Sequence, residues 1–262
     1  MSGKAARKPD LASIAGLMLA AVAILGGLLL EGGSILDIAQ YTAAIIVLGG
    51  TIGATMLNAP LSTFLGAFKQ LQTVFFESPH SPSVVIEQLI EYATQARKGG
   101  IASLEQEAAG IADPFLRKAL TLAVDGTDLQ ELRKMMELEM DIAENRAEAQ
   151  AKVFEQAGGY APTVGIIGAV MGLIQVMKNL ANIEEVGHGI AVSFVATVYG
   201  VGMANLFCLP VAGKIKARAQ DETHMREMIL EGVCGIVEGL NPKLLRMKLE
   251  AFAEPANPKA RK

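Results

Sequence analysis

Thr51, Thr55, Thr163, Gln175, Ser193, Thr197, Tyr199 and Asn205 lie inside long apolar runs. Hydroxyls and amides in such places can coordinate a cation or line a path for one. They do not exchange a proton near neutral pH. Intramembrane proton relays normally use a carboxylate or a histidine, which is costly to bury and so marks function. None of the four apolar runs holds an Asp, Glu, Lys, Arg or His. If the chain conducts ions, the titrating group must come from another polypeptide. The plain alternative is that each hydroxyl bonds back to a carbonyl of its own helix.

Two prolines and one charged segment complete the candidates. Pro162 and Pro210 lie near the ends of the third and fourth apolar runs, at similar depth because the two helices run in opposite directions. Each removes a backbone hydrogen bond and favours a bend. Arg97, Lys98 and Glu105 flank the Gly99-Gly100 break, which places them at a solvent-exposed helix–turn–helix corner. Charges so exposed steer docking and set register more than they supply affinity. With two cysteines (Cys208 and Cys234) and three histidines, neither a disulfide framework nor a metal cluster is expected. No nucleophile–base or paired-carboxylate pattern appears, so an enzyme is not expected either.

The elements that must position these groups are set by hydropathy. The chain has 262 residues, 51% hydrophobic and 19% charged, with mean hydropathy +0.36. That argues against a disordered chain or an ordinary water-soluble enzyme. A net charge of −4 gives no support to nucleic-acid binding. Four runs are uncharged: Leu11–Leu30, Ile38–Leu57, Ala157–Met177 and Gly189–Gly213, of 20, 20, 21 and 25 residues. A helix of about 20 apolar residues spans a bilayer, so all four qualify. Gly49-x-x-x-Gly53 and Gly168-x-x-x-Gly172, with Gly165, Gly200 and Gly202, predict close packing of these helices on others, in this chain or in copies of it.

Lys and Arg placement orients the spans. Of 23 such residues, 22 fall in the N-tail (1–10), the insert (58–156) and the C-tail (214–262). The outer loops 31–37 and 178–188 hold only Lys178, beside Glu31, Asp37, Glu184 and Glu185. Both termini and the insert are therefore expected in the cytoplasm. The insert reads as helical. Ser81-Pro82 opens a helix with Val85, Ile86, Leu89, Ile90 and Ala93 on one face, stopped by Gly99-Gly100. Asp113-Pro114 starts another. Thr127-x-x-Gln130 reads as a capping box for a long charged helix toward the membrane. A further helix is expected from about Lys214 to Glu238, broken at Asn241-Pro242, with a loose tail over the last ten residues. The expected fold class is an all-α membrane protein: four transmembrane helices, and a helical cytoplasmic domain made of the insert plus the C-tail.

Specific stretches resemble the MotA/PomA family of flagellar stator proteins, within the MotA/TolQ/ExbB group. Ala96-Arg97-Lys98-Gly99-Gly100 with Leu104-Glu105 is similar to the rotor-facing charged segment. The run from Tyr160 to Leu173 (YAPTVGIIGAVMGL) resembles the third span. Ala196-Thr197-Val198-Tyr199-Gly200, Ala204-Asn205 and Leu209-Pro210 resemble the fourth. The resemblance reaches from the first span to Asn241-Pro242.

That resemblance implies an inner-membrane stator subunit for flagellar rotation. Five copies would surround a dimer of a single-span, peptidoglycan-binding MotB or PomB partner, which carries the ion-binding aspartate. Ion flow would turn the ring, and the insert would push on the rotor protein FliG. It implies that Pro162 and Pro210 couple ion passage to torque and that Arg97, Lys98 and Glu105 contact the rotor. Thr197 would lie beside the partner's aspartate, with Ala169 and Thr163 on the ion pathway. Ala169 stands where sodium-driven members carry a threonine. A methyl cannot replace sodium's hydration shell, so protons rather than sodium are expected, with no cofactor. Asn205 stands where proton-type relatives often have Tyr. Two other readings stay open: an ExbB- or TolQ-like energy-transducing subunit, whose relatives usually have three spans and an external N-terminus, and a passive scaffold indifferent to Thr197→Val.

Overall fold

A computed structural model of the chain describes residues 8–77 and 81–253. Lys4, Arg7 and the C-terminal tail beyond residue 253 lie outside them. In chain order the elements are β1 (Lys8–Pro9), α1 (Leu11–Leu30), α2 (Ile35–Ile38), α3 (Tyr41–Ala44), a π-helical segment (Ile45–Gly49), α4 (Gly50–Asn58), α5 (Leu61–Phe75), β2 (Phe76–Glu77), α6 (Pro82–Gly99), a 3₁₀ turn (Ile101–Leu104), α7 (Glu105–Gly110), α8 (Pro114–Val124), α9 (Leu129–Lys178), α10 (Ile183–Gly202), a second π-helical segment (Met203–Cys208), α11 (Leu209–Val237) and α12 (Pro242–Ala253). The fold is all-α, and four helices are long and apolar enough to cross a membrane. The strands amount to one two-residue antiparallel pair, Lys8↔Glu77 and Pro9↔Phe76.

The chain forms two compact units. The first comprises residues 8–77 and 146–218 and holds the apolar helices. The second comprises 81–145 and 219–253 of the described residues.

In the first unit, α1 opens on Asp10, whose carboxylate accepts the Ser13 N–H at 2.9 Å. The second span starts at Tyr41 rather than Ile38. Ser34 and Asp37 close a capping box around the separate turn α2, and Gln40 is extended. α10 begins at Ile183, six residues before the uncharged run, because Asn182 caps it by accepting the Glu184 N–H. No break follows the fourth span: α11 carries it through Lys214 to Val237. Residues 58–77 and 146–156 belong with the spans, not with the rest of the insert. The reason is a shared core, in which Phe64, Ala67 and Val74 of α5 pack with Ala151, Val153, Phe154, Val211, Ala212 and Ile215. The rings of Phe64, Phe68, Phe154 and Phe207 follow one another edge-on, 5.1–6.4 Å apart.

The second unit has an ordinary globular core. Leu89, Leu104, Leu116, Leu120, Leu132, Met136, Met228, Ile229, Leu245 and Leu249 are fully buried there. The α6 stripe faces it as its spacing requires, with Val85, Ile86, Leu89 and Ala93 buried. Asp113 caps α8 through the Leu116 N–H at 2.8 Å. The cap of α9 is Asp128, not Thr127: its Oδ1 accepts the N–H groups of Gln130 and Glu131, at 2.9 and 3.3 Å. Thr127 instead donates its N–H to Leu122, closing the turn through Gly126 at φ +76°.

Candidate functional site

The third and fourth spans meet along a seam of small residues. A Cβ built on Gly165 would lie 2.8 Å from the Ala196 carbonyl oxygen, and one on Gly200 would lie 2.4 Å from that of Ala161. Further along, Gly172 faces Ser193 Oγ at 2.3 Å and Gly189 O at 2.9 Å, measured the same way. Gly168 faces the Ala196 methyl. These positions recur every three or four residues on each helix, so one face of each is stripped to backbone and the helices close on it. The second-span glycines of the Gly49-x-x-x-Gly53 pattern meet nothing within this chain, which leaves packing on copies of it as the other half of that expectation. Gly50 is the one that meets a neighbour, at Val164.

The candidate ion-pathway residues divide around this seam. Thr197 lies in it: its Cα is 3.5 Å from the Gly165 Cβ position, and its side chain is half-buried. Its hydroxyl donates to the Ser193 carbonyl at 3.3 Å, a long bond that leaves an oxygen lone pair free to accept. Ala169 is half-buried beside Gly168. Thr163 is exposed and donates to Tyr160 O at 2.8 Å. Six residues separate it from Ala169, so it lies about 120° away around the helix axis and faces away from the seam. Asn205 is exposed and bonds back to Val201 at 2.9 Å. The plain back-bonding alternative therefore describes the geometry of several of these hydroxyls and amides, including Thr55 and Ser193. Thr51 is different: it is 0% exposed, and its hydroxyl finds no partner within the described residues.

The two prolines are accommodated differently. α9 runs through Pro162 as helix, at the point where Ala161 touches Gly200. Before Pro210 the fourth span widens into the π-helical segment Met203–Cys208. A proline ring clashes with the carbonyl four residues back, here that of Leu206, and a wider turn relieves the clash. Neither π segment was visible in the residue pattern, because glycine and apolar residues are equally at home in an α-turn.

At the charged corner, Arg97 and Lys98 end α6 and Glu105 starts α7. All three are exposed, and none makes an ion pair within the described residues. Their spacing is held by the chain between them. Gly100 sits at φ +79°, Gly99 lies against Ser103, Ser103 Oγ donates to Gly100 O at 2.7 Å, and Gln95 Nε2 donates to Ser103 O at 3.1 Å. The corner is thus a rigid mount for unpaired charge.

One charged group escaped the sequence reading. Asp10 is 2% exposed and takes hydrogen bonds from Lys214 and Arg218, 2.6 Å each. Lys214 and the Ser13 N–H hold its carboxyl below the ordinary carboxylate range against the opposing effect of burial, with help from Arg218. The signal was present: an N-cap residue type directly before an apolar run.

Comparison with known proteins shows the family. Residues 14–100 match the model for the motility protein A N-terminal region, and residues 107–228 match that for the MotA/TolQ/ExbB proton channel family. Motility protein A of Bacillus subtilis is 36% identical over 244 residues, 92% of this chain and 89% of that protein. The chain belongs to the MotA/TolQ/ExbB proton channel family. Chemotaxis protein PomA of Vibrio alginolyticus is 31% identical over 93% of this chain and 95% of its own. Among solved structures, C. jejuni MotAB superposes with TM-score 0.90 at 34% identity, covering 95% of this chain and 98% of that one. The flagellar MotAB stator complex of Bacillus subtilis gives 0.88 at 35%, covering 94% and 97%. Four apolar helices and this family make the chain a multi-pass inner-membrane protein.

Proposed function

We propose that this chain is the ion-conducting stator subunit of a bacterial flagellar motor and that it works only with a single-span MotB-type partner. The observation that carries the reading is the seam between the third and fourth spans. It holds hydroxyls and backbone oxygens but no group that titrates, in a chain whose relatives were solved as MotAB complexes. The partner supplies the carboxylate, and Thr197 accepts or donates a hydrogen bond beside it. Ala169 offers a methyl where a sodium path needs an oxygen, which favours protons. Moving one charge through 100 mV releases about 2.3 kcal/mol, the energy available for each step.

Large apolar side chains left exposed on the third and fourth spans, among them Ile166, Val170, Leu173, Phe194 and Val198, supply surface for further copies and the partner. A ring of five copies accommodates this. Pro162 and Pro210 are the points at which ion passage bends the spans. Arg97, Lys98 and Glu105, rigidly mounted and unpaired, contact FliG on the rotor. Both termini and the second unit face the cytoplasm, as the Lys and Arg placement requires. The test is torque in sodium-free medium from cells whose only stators contain this chain. Full torque there supports proton coupling, and its loss overturns it. Thr197→Val is expected to lower ion flux, while parental flux would remove Thr197 from the pathway.

A further inference from the structure

Asp10 ties together three elements of the first unit. Its Oδ1 caps α1, the first span, through the Ser13 N–H at 2.9 Å. Its backbone N–H donates to the Phe75 carbonyl at 2.9 Å, where β1 pairs with β2 at the end of α5. Its Oδ2 receives Lys214 and Arg218, each at 2.6 Å. Those two cations sit four and eight residues beyond Pro210, one turn apart on one face of α11. Between the spans and this knot lies the π-helical segment, followed by the proline that lacks an N–H.

The first span is packed lightly within the chain: it touches α5 and the second π-helical segment, but none of its residues is fully buried. A carboxylate that is nearly excluded from solvent, with both oxygens engaged, is by contrast an attachment with a defined geometry. We propose that Asp10 is a positioning residue of the stator: it pins the cytoplasmic continuation of the fourth span to the base of the first span and the end of α5, so that bending at Pro210 works against a fixed stem. This inference rests on the reading of Pro210 given above. Without the pin, the stem beyond Pro210 keeps its apolar packing on α5 and α9 through Val211, Ala212 and Ile215 but loses its tie to the first span, so that bending at Pro210 delivers less of its work. Because the carboxyl is held ionised well below neutrality by Lys214 and the Ser13 N–H, the pin stays closed as protons arrive on the cytoplasmic side.

The test uses the full chain with its partner subunit in cells lacking other stators. Two quantities are read separately: the torque step added per stator unit on a tethered bead, and proton uptake. Asp10→Asn is expected to keep uptake within about twofold of the parent while the torque step falls by roughly threefold or more. Asp10→Glu keeps both. Asp10→Lys loses the torque step, and Asp10→Lys combined with Lys214→Asp, which again places one carboxylate between two cations, recovers about half of it. Should Asp10→Asn fail to assemble, Lys214→Gln leaves Arg218 on the carboxylate and carries the same comparison. A parental torque step in Asp10→Asn overturns the proposal. So does a drop in protein amount with the step per unit unchanged, since that marks a residue that only stabilises the fold. Parental torque in Pro210→Ala is a different failure: it removes the pivot and overturns the functional reading, whatever the Asp10 series shows.

Discussion

The seam between the third and fourth spans and the core of the second unit are closed by opposite means. In the span unit the third and fourth helices touch backbone to backbone, at Gly165, Gly172, Gly189 and Gly200, with small side chains between. In the second unit large side chains fill the space, and ions tie the surface. Glu231 takes Lys248 and Arg133, Arg246 holds Glu87 at 2.5 and 2.7 Å, and Arg226 lies over the Phe115 ring. Water explains the difference. Burying leucine gains free energy only where the alternative is water. Between helices in lipid the gain comes from close approach and dispersion, which favours small residues. The span unit therefore tolerates no added bulk on its seam, whereas the second unit tolerates change at its surface and punishes loss from its core.

Adding a side chain to the seam should have the largest effect. Gly200→Val places a Cβ on the backbone oxygen of Ala161, which cannot move aside. No stator complex should be recovered in detergent with the partner. Gly202→Ala, only two residues away but with no atom of this chain within 4 Å of its Cβ position, should leave the contact between the third and fourth spans closed. Next comes Leu116→Ala in the other core, expected to cost about 2–5 kcal/mol. Thermal unfolding of the purified complex, followed by circular dichroism, checks it.

Smaller still is Glu231→Gln, expected to cost about 1.5–3 kcal/mol by removing a charged acceptor from two cations. Burial pushes the Glu231 carboxyl up, but the Lys248 and Arg133 hydrogen bonds outweigh it and hold the group below its ordinary value. A lowered carboxyl stabilises the fold above the unfolded value of about 4.3, and that contribution is lost as pH falls through the folded value. Denaturation followed between neutral and acid pH should thus show the parent and Glu231→Gln converging as acidity rises. The smallest effect on stability belongs to Arg97→Glu. An exposed, unpaired charge is expected to change unfolding by no more than about 0.5 kcal/mol. Swimming speed should nonetheless fall, and an opposite reversal on the rotor should restore it. An unaltered speed would remove Arg97 from the rotor contact.

Much of the architecture was legible because it follows from hydropathy and punctuation. The run Leu11–Leu30 is a helix with those bounds, and Gly99-Gly100 and Asp113-Pro114 stop and start helices as their chemistry requires. What escaped depends on neighbours far away in sequence. The cores of α5, α9 and α11 make residues 58–77 part of the span unit, and no local pattern announces that pairing. The π-helical turns escaped because a single extra residue per turn leaves composition unchanged. The candidate site was legible in kind, as hydroxyls without acids, but not in arrangement. Facing a neighbouring helix of this chain or facing away separates Thr197 from Thr163, and Gly50 from Gly49 and Gly53, and only packing decides it. Asp10 was overlooked because its partners lie more than two hundred residues downstream.

The central claim is that this chain lines an ion path but owns no acid with which to run it. Proton uptake by vesicles carrying this chain, with its partner, without it, or with the partner's intramembrane aspartate replaced by asparagine, tests that most directly. Uptake should occur only with the intact partner. Uptake by this chain alone, or at the parental rate with the asparagine partner, would contradict it.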